Sequence, residues 1–160
     1  MPATSDADYA IIIPARYQSS RFPGKPLADI VGKPMVQHVW EKSVQAAGQE
    51  HVYIATDSEQ IVEACESFGA STIMTDSSCL TGTDRVAEAA GQLDYSFYVN
   101  VQGDEPMLDP ADIRAVAQAY RDANGSVVNA MAAINDEREY WARSVPKVVT
   151  NTSGRLQYMS

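Results

Sequence analysis

Residues 9–27 read YAIIIPARYQSSRFPGKPL, an apolar run that leads directly into a polar loop of small and basic residues. The run ends at Pro14, and a short uninterrupted apolar stretch of this kind is typical of a strand buried on both faces of a parallel sheet. Although the net charge of the chain is −9, three of its twelve basic residues lie in this loop: Arg16, Arg21 and Lys25. We therefore expect the loop to hold an anion.

Short apolar runs continue to alternate with helical patterns along the chain. Strands are predicted at residues 51–55, 71–74, 96–101, 126–134, 146–150 and 154–160, and helices at 34–48, 58–69, 83–93 and 111–125. Four successive βα repeats predict an α/β fold with a three-layer, mostly parallel sheet and helices on both faces. Ligands of such sheets bind beyond the carboxyl ends of the strands, so functional residues are expected in the loops that follow them.

Length and composition indicate one globular domain. The 160 residues are 45% hydrophobic and 21% charged, which is ordinary for a soluble protein. A pI near 4.5 argues against nucleic-acid binding and against anionic membranes. Cys65 and Cys79 fit neither a zinc site nor a disulfide framework, which favours a reducing cytoplasm. The first residues lack the pattern of a signal peptide or membrane span, so no membrane insertion is expected.

The loop after the first predicted strand has the composition of a phosphate-binding loop. Its three cations can neutralise a triphosphate, while Ser19, Ser20 and Gly24 permit close approach of the backbone. The loop matches neither the GxxxxGK[ST] pattern nor the GxGxxG pattern. The alternative is a solvated surface loop with scattered charge.

The stretch VNVQGDEP at residues 99–106 follows the fourth strand of the repeats and places Gln102, Gly103 and Asp104 at the same edge. A carboxylate that faces a basic loop can hold Mg²⁺ between phosphate oxygens. The alternative is a turn in which Asp104 caps the next helix or meets solvent. Taken together, the two loops predict a site for a nucleoside triphosphate with magnesium.

Residues 81–85, TGTDR, open a predicted helix whose free N–H groups could receive an anion or a base edge. Simple helix capping by Thr81 or Thr83 explains the stretch equally well. Asp57, after the second strand, has the same two interpretations, a ligand contact or a helix cap, and we favour the helix cap. His38 and His51 are interpreted as structural or exposed, Cys65 as a core residue and Cys79 as a loop residue.

Several of these stretches together resemble one enzyme family, the CMP-Kdo synthetases or 3-deoxy-manno-octulosonate (Kdo) cytidylyltransferases. The similarity covers the N-terminal two-thirds of that family and nearly all of residues 9–160. It rests on IIIPARYQSSRFPGKPLADIVGKPMVQHV at 11–39, ATD at 55–57, TGTDR at 81–85, VNVQGDEPM at 99–107 and KVV at 147–149. The resemblance implies a Rossmann-like nucleotidyltransferase sheet and the transfer of CMP from CTP to Kdo for lipopolysaccharide biosynthesis.

The resemblance also implies roles for particular residues. Arg16 and Lys25 would hold the triphosphate with support from Arg21, and Asp104 would bind catalytic Mg²⁺. The cytidine would meet Pro14, Ala15 and the turn formed by Thr81, Gly82 and Thr83. Gln102, next to Gly103, would face the acidic sugar.

This sequence departs from the family at three places. Asp76 and Cys79 stand where the family usually has an arginine and a histidine, ARSVPKVV replaces a DPNxVKVV stretch, and the chain stops at YMS, where the family continues. We therefore expect residues 1–160 to form a single nucleotide-binding domain that lacks the C-terminal sugar-binding and dimerisation part of a homodimer. The alternatives are a cytidylyltransferase for 8-amino-Kdo or another acidic sugar, and a non-catalytic nucleotide-binding fragment.

Overall fold

The apolar run of residues 9–13 forms one of the two inner strands of the main sheet. The structure, a computed structural model, describes residues 8–18, 22–123 and 127–160. It divides the chain into two compact units, Met1–Ser126 and Val127–Ser160. No helix in these described ranges is both long enough and apolar enough to cross a membrane.

The first unit contains the elements that follow, in chain order. They are β1 (Tyr9–Pro14), β2 (Asp29–Ile30), β3 (Lys33–Pro34), α1 (Met35–Ala47), β4 (Val52–Thr56), α2 (Glu59–Ser67), β5 (Ser71–Met74), α3 (Gly82–Ala90), β6 (Phe97–Asn100) and α4 (Pro110–Asp122). Short 3₁₀ helices at Lys25–Leu27 and Gln49–His51 precede β2 and β4. The small antiparallel hairpin of β2 and β3 was not predicted, because its two-residue strands carry no period-2 pattern.

Four strands form one parallel sheet in the order β5-β4-β1-β6. Ile11 of β1 lies opposite Val52 of β4 on one side and Val99 of β6 on the other. An inner strand of a parallel sheet is covered on both faces, which explains the continuous apolar run. The mostly parallel sheet predicted from the βα repeats is confirmed.

Successive residues of β1 point to opposite faces of the sheet, and each face has its own apolar cluster. Ile11 and Ile13 pack with buried residues of α1, α2 and α4, including Val39, Ile61 and Ile113. Ile12 packs on the other face with Ala55, Ile73, Val86 and Ala89, the last two of which belong to α3. The three-layer arrangement with helices on both faces is therefore confirmed.

The second unit contains α5 (Glu137–Trp141) and an antiparallel pair formed by β7 (Val148–Thr150) and β8 (Leu156–Met159). The strands predicted at 146–150 and 154–160 are confirmed with shorter bounds. The strand predicted at 126–134 is wrong for its described residues, 127–134, which have no strand structure. Val127 and Met131 are exposed there, because an apolar run becomes a strand only where a neighbouring strand pairs with it.

Candidate functional site

A cleft of about 240 Å³ opens at the carboxyl end of the parallel sheet. Three segments of the first unit form its walls: the loop after β1, the start of α3 and the loop after β6. The lining residues are Pro14, Ala15, Arg16, Lys25, Pro26, Cys79, Thr81, Gly82, Arg85, Gln102, Gly103 and Asp104. Because the chain turns to one side of β1 toward β4 and later returns to the other side as β6, this is the switch point at which such sheets bind ligands.

Pro14 is the point at which the three segments meet. A Cβ atom added to Gly103 would lie 2.8 Å from the Pro14 carbonyl oxygen, and one added to Gly82 would lie 3.3 Å from Pro14 Cγ. A larger residue at position 103 would therefore push the loop after β6 away from β1. Glycine at this position allows Gln102 and Asp104 to stand close to the end of β1.

A tight turn places Lys25 in the cleft. The Gly24 amide donates a hydrogen bond of 2.8 Å to the Tyr17 carbonyl, and Gly24 has a φ of +71°, a conformation that favours glycine. The 3₁₀ helix that starts at Lys25 then buries Pro26. Arg16 lies on the same loop, is exposed, and makes no ion pair with any described residue.

The two loops face each other through one direct contact. Lys25 Nζ lies 2.6 Å from Asp104 Oδ2, and both side chains are partly exposed. The helix that follows, α4, is capped by Asp109, whose side chain accepts the Ala111 amide at 2.8 Å. The interpretation of Asp104 as a helix cap is therefore excluded, and its carboxylate faces the cleft.

The donor set around Asp104 fits a magnesium ion that is held largely by a ligand. Residues 8–18, 22–123 and 127–160 contain no cluster of three or more histidine, cysteine, aspartate or glutamate side chains arranged to hold a metal ion. Mg²⁺ is commonly bound through one or two carboxylates together with substrate phosphates. Asp104 supplies such a carboxylate, beside a loop that can receive phosphates.

A buried arginine, Arg85, lines the cleft and was not among the predicted site residues. Arg85 of α3 donates to Asp57 Oδ2 at 2.9 Å through Nη2 and to Thr75 Oγ1 through Nη1. Thr75 in turn donates to the Thr56 carbonyl at 3.1 Å. The arginine thus ties α3 to the ends of β4 and β5.

Asp57 is therefore an ion-pair partner of Arg85, and its interpretation as a helix cap is wrong. A signal for Arg85 was present in the sequence. An arginine in the first turn of a helix opposes the helix dipole, so it is expected there only when a carboxylate compensates it.

A second cleft, of about 430 Å³, shares residues with the first. Its lining residues are Arg16, Tyr17, Gln18, Asp57, Ser58, Ser77, Cys79 and Arg85. Arg16, Cys79 and Arg85 line both clefts, so they form the wall between them. Any ligand that spans the two volumes must pass this wall.

The start of α3 is a capping box. Thr81 Oγ1 accepts the Asp84 amide at 3.1 Å, and the Asp84 carboxylate accepts the Thr81 amide at 2.9 Å. The capping interpretation of Thr81 is confirmed. Thr81 and Gly82 nevertheless line the cleft, whereas Thr83 does not.

Glu88 holds the loop that carries Asp76 and Cys79, the two residues that depart from the family pattern. Its carboxylate accepts the Asp76 amide at 2.9 Å and the Cys79 thiol at 3.0 Å. The thiol's hydrogen bond to Glu88 raises the pKa of Cys79, with smaller contributions from desolvation and the carboxylate's charge. The Ser78 amide and hydroxyl lower the pKa of Asp76, whose side chain lines neither cleft.

Most of the predicted site residues therefore lie in one place. The first cleft brings together Pro14, Ala15, Arg16, Lys25, Thr81, Gly82, Gln102, Gly103 and Asp104. Arg21, Ser19 and Ser20 lie outside the described residues. The roles assigned to all of these residues stay predictions.

The remaining sequence interpretations concern residues away from the clefts. His38 contacts the Ile30 carbonyl at 2.8 Å, and His51 contacts the Tyr95 hydroxyl at 3.3 Å. Cys65 is buried in the core, and desolvation raises the pKa of its thiol to about 12. The structural interpretation of His38, His51 and Cys65 is confirmed.

The chain is similar in sequence to curated enzymes. It is 44% identical over 150 residues to the 3-deoxy-manno-octulosonate cytidylyltransferase of Escherichia coli, covering 94% of this chain and 61% of the relative. It is 46% identical over 150 residues to the enzyme of the same name from Geobacter metallireducens, covering 93% of this chain and 59% of the relative. The chain thus spans about three fifths of the length of these relatives.

Solved structures agree with the sequence comparison. A structure of CMP:2-keto-3-deoxy-manno-octonic acid synthetase complexed with CTP superposes with a TM-score of 0.85 at 41% identity, covering 96% of this chain and 64% of the other. A cytidylyltransferase from Leptospira borgpetersenii, at 22% identity and a TM-score of 0.65, shares the fold over 75% of this chain and 51% of its own. The predicted Rossmann-like nucleotidyltransferase fold is confirmed. Since the cytidylyltransferase family model matches residues 10–160, the chain belongs to the cytidylyltransferase family.

Proposed function

We propose that the protein transfers CMP from CTP to Kdo, with release of pyrophosphate, as a step in the synthesis of lipopolysaccharide. The observation that carries the proposal is the cleft that Arg16 and Lys25 of the β1 loop line together with Asp104, and in which Lys25 contacts the Asp104 carboxylate. The names of the relatives and the CTP in the similar solved structure support the choice of nucleotide and sugar.

The cleft residues have separate roles in this proposal. Arg16 and Lys25 bind the triphosphate, and Arg21 adds a third positive charge to the same loop. Asp104 holds Mg²⁺, which when bound offsets phosphate charge. Pro14, Ala15, Gly82 and the α3 turn with Thr81 and Thr83 meet the cytidine, and Gln102 with Gly103 faces the acidic sugar.

The reaction requires alignment and charge neutralisation from the protein. The oxygen of the hydroxyl group on the anomeric carbon of the sugar forms a bond to the α-phosphorus of CTP, and the hydroxyl proton passes to solvent. The bond between the α-phosphorus and the oxygen that bridges it to the β-phosphate breaks, and that oxygen leaves with pyrophosphate. Arg16 and Lys25 reduce the repulsion between the incoming oxygen and the phosphates, and they stabilise the charge that develops on the leaving group.

The cellular context is proposed on the same basis. Two free cysteines, Cys65 and Cys79, agree with a reducing cytoplasm. A homodimer of the full-length protein stays a prediction, as does the absence of nucleic-acid partners. An enzyme for 8-amino-Kdo or another acidic sugar would use the same cleft for CTP, so nucleotide binding is the first property to test.

Isothermal titration calorimetry with CTP, UTP, ATP and GTP in excess Mg²⁺ tests the proposed nucleotide. We expect CTP to bind at least about tenfold more tightly than the other three, because polar groups matched to one base are left unpaired by another. Equal affinities for all four nucleotides would contradict a cytidine site. An absence of binding would contradict the assignment of the cleft in this chain.

The same titration tests the role of Lys25. Lys25→Ala is expected to weaken CTP binding more than cytidine binding, since only CTP carries the phosphates. Lys33→Ala is a matched control, because Lys33 pairs with Glu41 at 2.7 Å and does not line either cleft. Equal losses of affinity for CTP and cytidine in Lys25→Ala would remove Lys25 from the phosphate site.

A further inference from the structure

Lys25 and Asp104 are both required by the proposed function, yet in the structure they neutralise each other. We propose that Lys25 is the resident cation of Asp104 in the ligand-free protein, and that Lys25 moves to the phosphates only when a divalent cation replaces it on the carboxylate. This inference rests on the proposed triphosphate site. It makes metal a condition for tight triphosphate binding.

The contact geometry shows how closely the two groups are engaged. Lys25 Nζ lies 2.6 Å from Asp104 Oδ2, the distance of a charge-assisted hydrogen bond. The lysine makes no second ion pair with a described residue. One ammonium group therefore has two prospective anionic partners, the carboxylate and the phosphates.

The exposure of the Lys25–Asp104 pair allows Lys25 to change its partner. The Lys25 and Asp104 side chains are 40% and 51% exposed, and ion pairs exposed to that degree contribute little to stability. The Arg85–Asp57 pair in the same cleft is different, because its side chains are only 3% and 16% exposed. The surroundings therefore hold Arg85 in place but leave Lys25 free to change partner.

The charges then determine how the affinity depends on metal. If a metal-free triphosphate were to draw Lys25 away, the Asp104 carboxylate would be left uncovered beside the phosphates and would repel them, so Lys25 stays on Asp104. When the triphosphate arrives with Mg²⁺, the divalent cation covers the carboxylate and the repulsion is removed. Asp104 thus opposes binding of the metal-free ligand and favours binding of the metal-loaded one.

The variant Asp104→Asn tests whether Asp104 weakens binding of the metal-free ligand and strengthens binding of the metal-loaded one. It keeps the size of the side chain but removes the negative charge, which frees Lys25. We expect Asp104→Asn to bind metal-free CTP about three- to tenfold more tightly than the wild type, and to bind CTP in excess Mg²⁺ at least about tenfold more weakly. The gain for metal-free CTP is the size expected when an exposed ion pair and the repulsion between carboxylate and phosphates are both removed. The loss in Mg²⁺ is the size expected when one metal ligand is removed.

The measurement is calorimetry with CTP and with inorganic triphosphate, once with EDTA and once with excess Mg²⁺. Asp8→Asn is the matched control, since Asp8 is 48% exposed, pairs with Arg121 and makes the same change in net charge outside the cleft. It should leave all four affinities unchanged. Circular dichroism and thermal melting establish that each variant is folded.

The outcomes separate this inference from the proposed function. Tighter metal-free binding together with weaker binding in Mg²⁺ supports the exchange. If the wild type binds Mg²⁺–CTP but Asp104→Asn binds metal-free CTP with unchanged or lower affinity, the exchange is wrong and the nucleotide site stands. If the wild type binds neither CTP nor triphosphate in Mg²⁺, the proposed function and the exchange both fail.

Discussion

Cys79 shows how a single residue acquires its properties from its neighbours. It lies on the wall shared by the two clefts, and its thiol donates to Glu88 at 3.0 Å. A carboxylate beside a thiol disfavours the thiolate, which is the reactive form. We therefore expect the Cys79 thiol to react slowly, although it lies on the cleft wall.

Substitution of Glu88 tests this account. Glu88→Gln removes the carboxylate that raises the pKa of Cys79, chiefly through its hydrogen bond with the thiol and to a smaller extent through its charge. The lower pKa increases the thiolate fraction at pH 8, so we expect alkylation of Cys79 by iodoacetamide to become about two- to fivefold faster. The rate is measured by mass spectrometry of the intact chain, in which buried Cys65, with a pKa of about 12, contributes little background.

Glu66→Gln is the control for this experiment. Glu66 is an exposed glutamate on α2, and its substitution changes the net charge equally without touching the Cys79 loop. An alkylation rate in Glu88→Gln that matches the wild type would show that Glu88 does not control the thiol.

At the scale of secondary-structure elements, the cleft depends on how α3 is fastened to the sheet. Val86 and Ala89 pack on the sheet face that holds Ile12, and Arg85 reaches Asp57 and Thr75 at the ends of β4 and β5. The apolar contacts hold α3 on this face of the sheet, whereas the ion pair fixes where the helix begins. The cleft wall at Thr81 and Gly82 follows from both.

Arg85→Met measures the strength of this fastening. The change leaves the carboxylate of Asp57, which is 16% exposed, without its cation, and breaking a buried pair in this way is strongly destabilising. We expect the free energy of unfolding in urea to fall by about 3 kcal/mol. Adding Asp57→Asn should recover part of the loss, because no unpaired charge then remains.

Arg138→Met is the control for Arg85→Met. Arg138 pairs with Asp136, but its side chain is 91% exposed, so its loss should leave the free energy of unfolding nearly unchanged. A similarly small effect for Arg85→Met would show that the buried pair does not hold α3.

The hairpin of β2 and β3 contains a strained residue at its turn. Val31 has a φ of +53° and is followed by Gly32 with a φ of +83°. A β-branched residue rarely adopts this conformation, whereas Asn-Gly is the preferred dipeptide for such turns. Val31 is 94% exposed, so no packing compensates the strain.

Val31→Asn is therefore expected to stabilise the protein by about 1 kcal/mol, which urea denaturation would show as a higher midpoint. Val127→Asn is the control, because Val127 is 99% exposed but lacks a positive φ. A gain of the same size in both variants would attribute the effect to polarity instead of to backbone strain.

At the scale of the whole molecule, a chain of net charge −9 concentrates cations around one cleft of its first unit. Arg16, Lys25 and Arg85 come from a loop and a helix start that are far apart in sequence, and the parallel order of the strands brings them to one edge. The local charge at the cleft therefore differs in sign from the average charge of the molecule. Such a difference would favour binding of the triphosphate proposed above, despite the acidic average charge of the protein.

Local sequence patterns were enough to predict the strands and helices of the βα repeats and the edge of the sheet at which the candidate site lies. Local rules of burial and backbone conformation act over a few residues. They explain the apolar run of β1, the βα repeats and the glycines at 24 and 103. These rules were sufficient to place Lys25 and Asp104 on loops at the same edge. They failed at residues 127–134, where the structure of an apolar run depends on whether another strand pairs with it.

Which side chains meet depends on the tertiary structure. Lys25 and Asp104 are 79 positions apart, and Asp57 and Arg85 are 28 positions apart, yet each pair is in direct contact. Local rules favour a helix cap for Asp57, because a nearby backbone amide is the partner that they can supply. Contacts between distant residues depend on strand order and helix packing, which arise from the burial of the whole core and not from any one stretch of the chain.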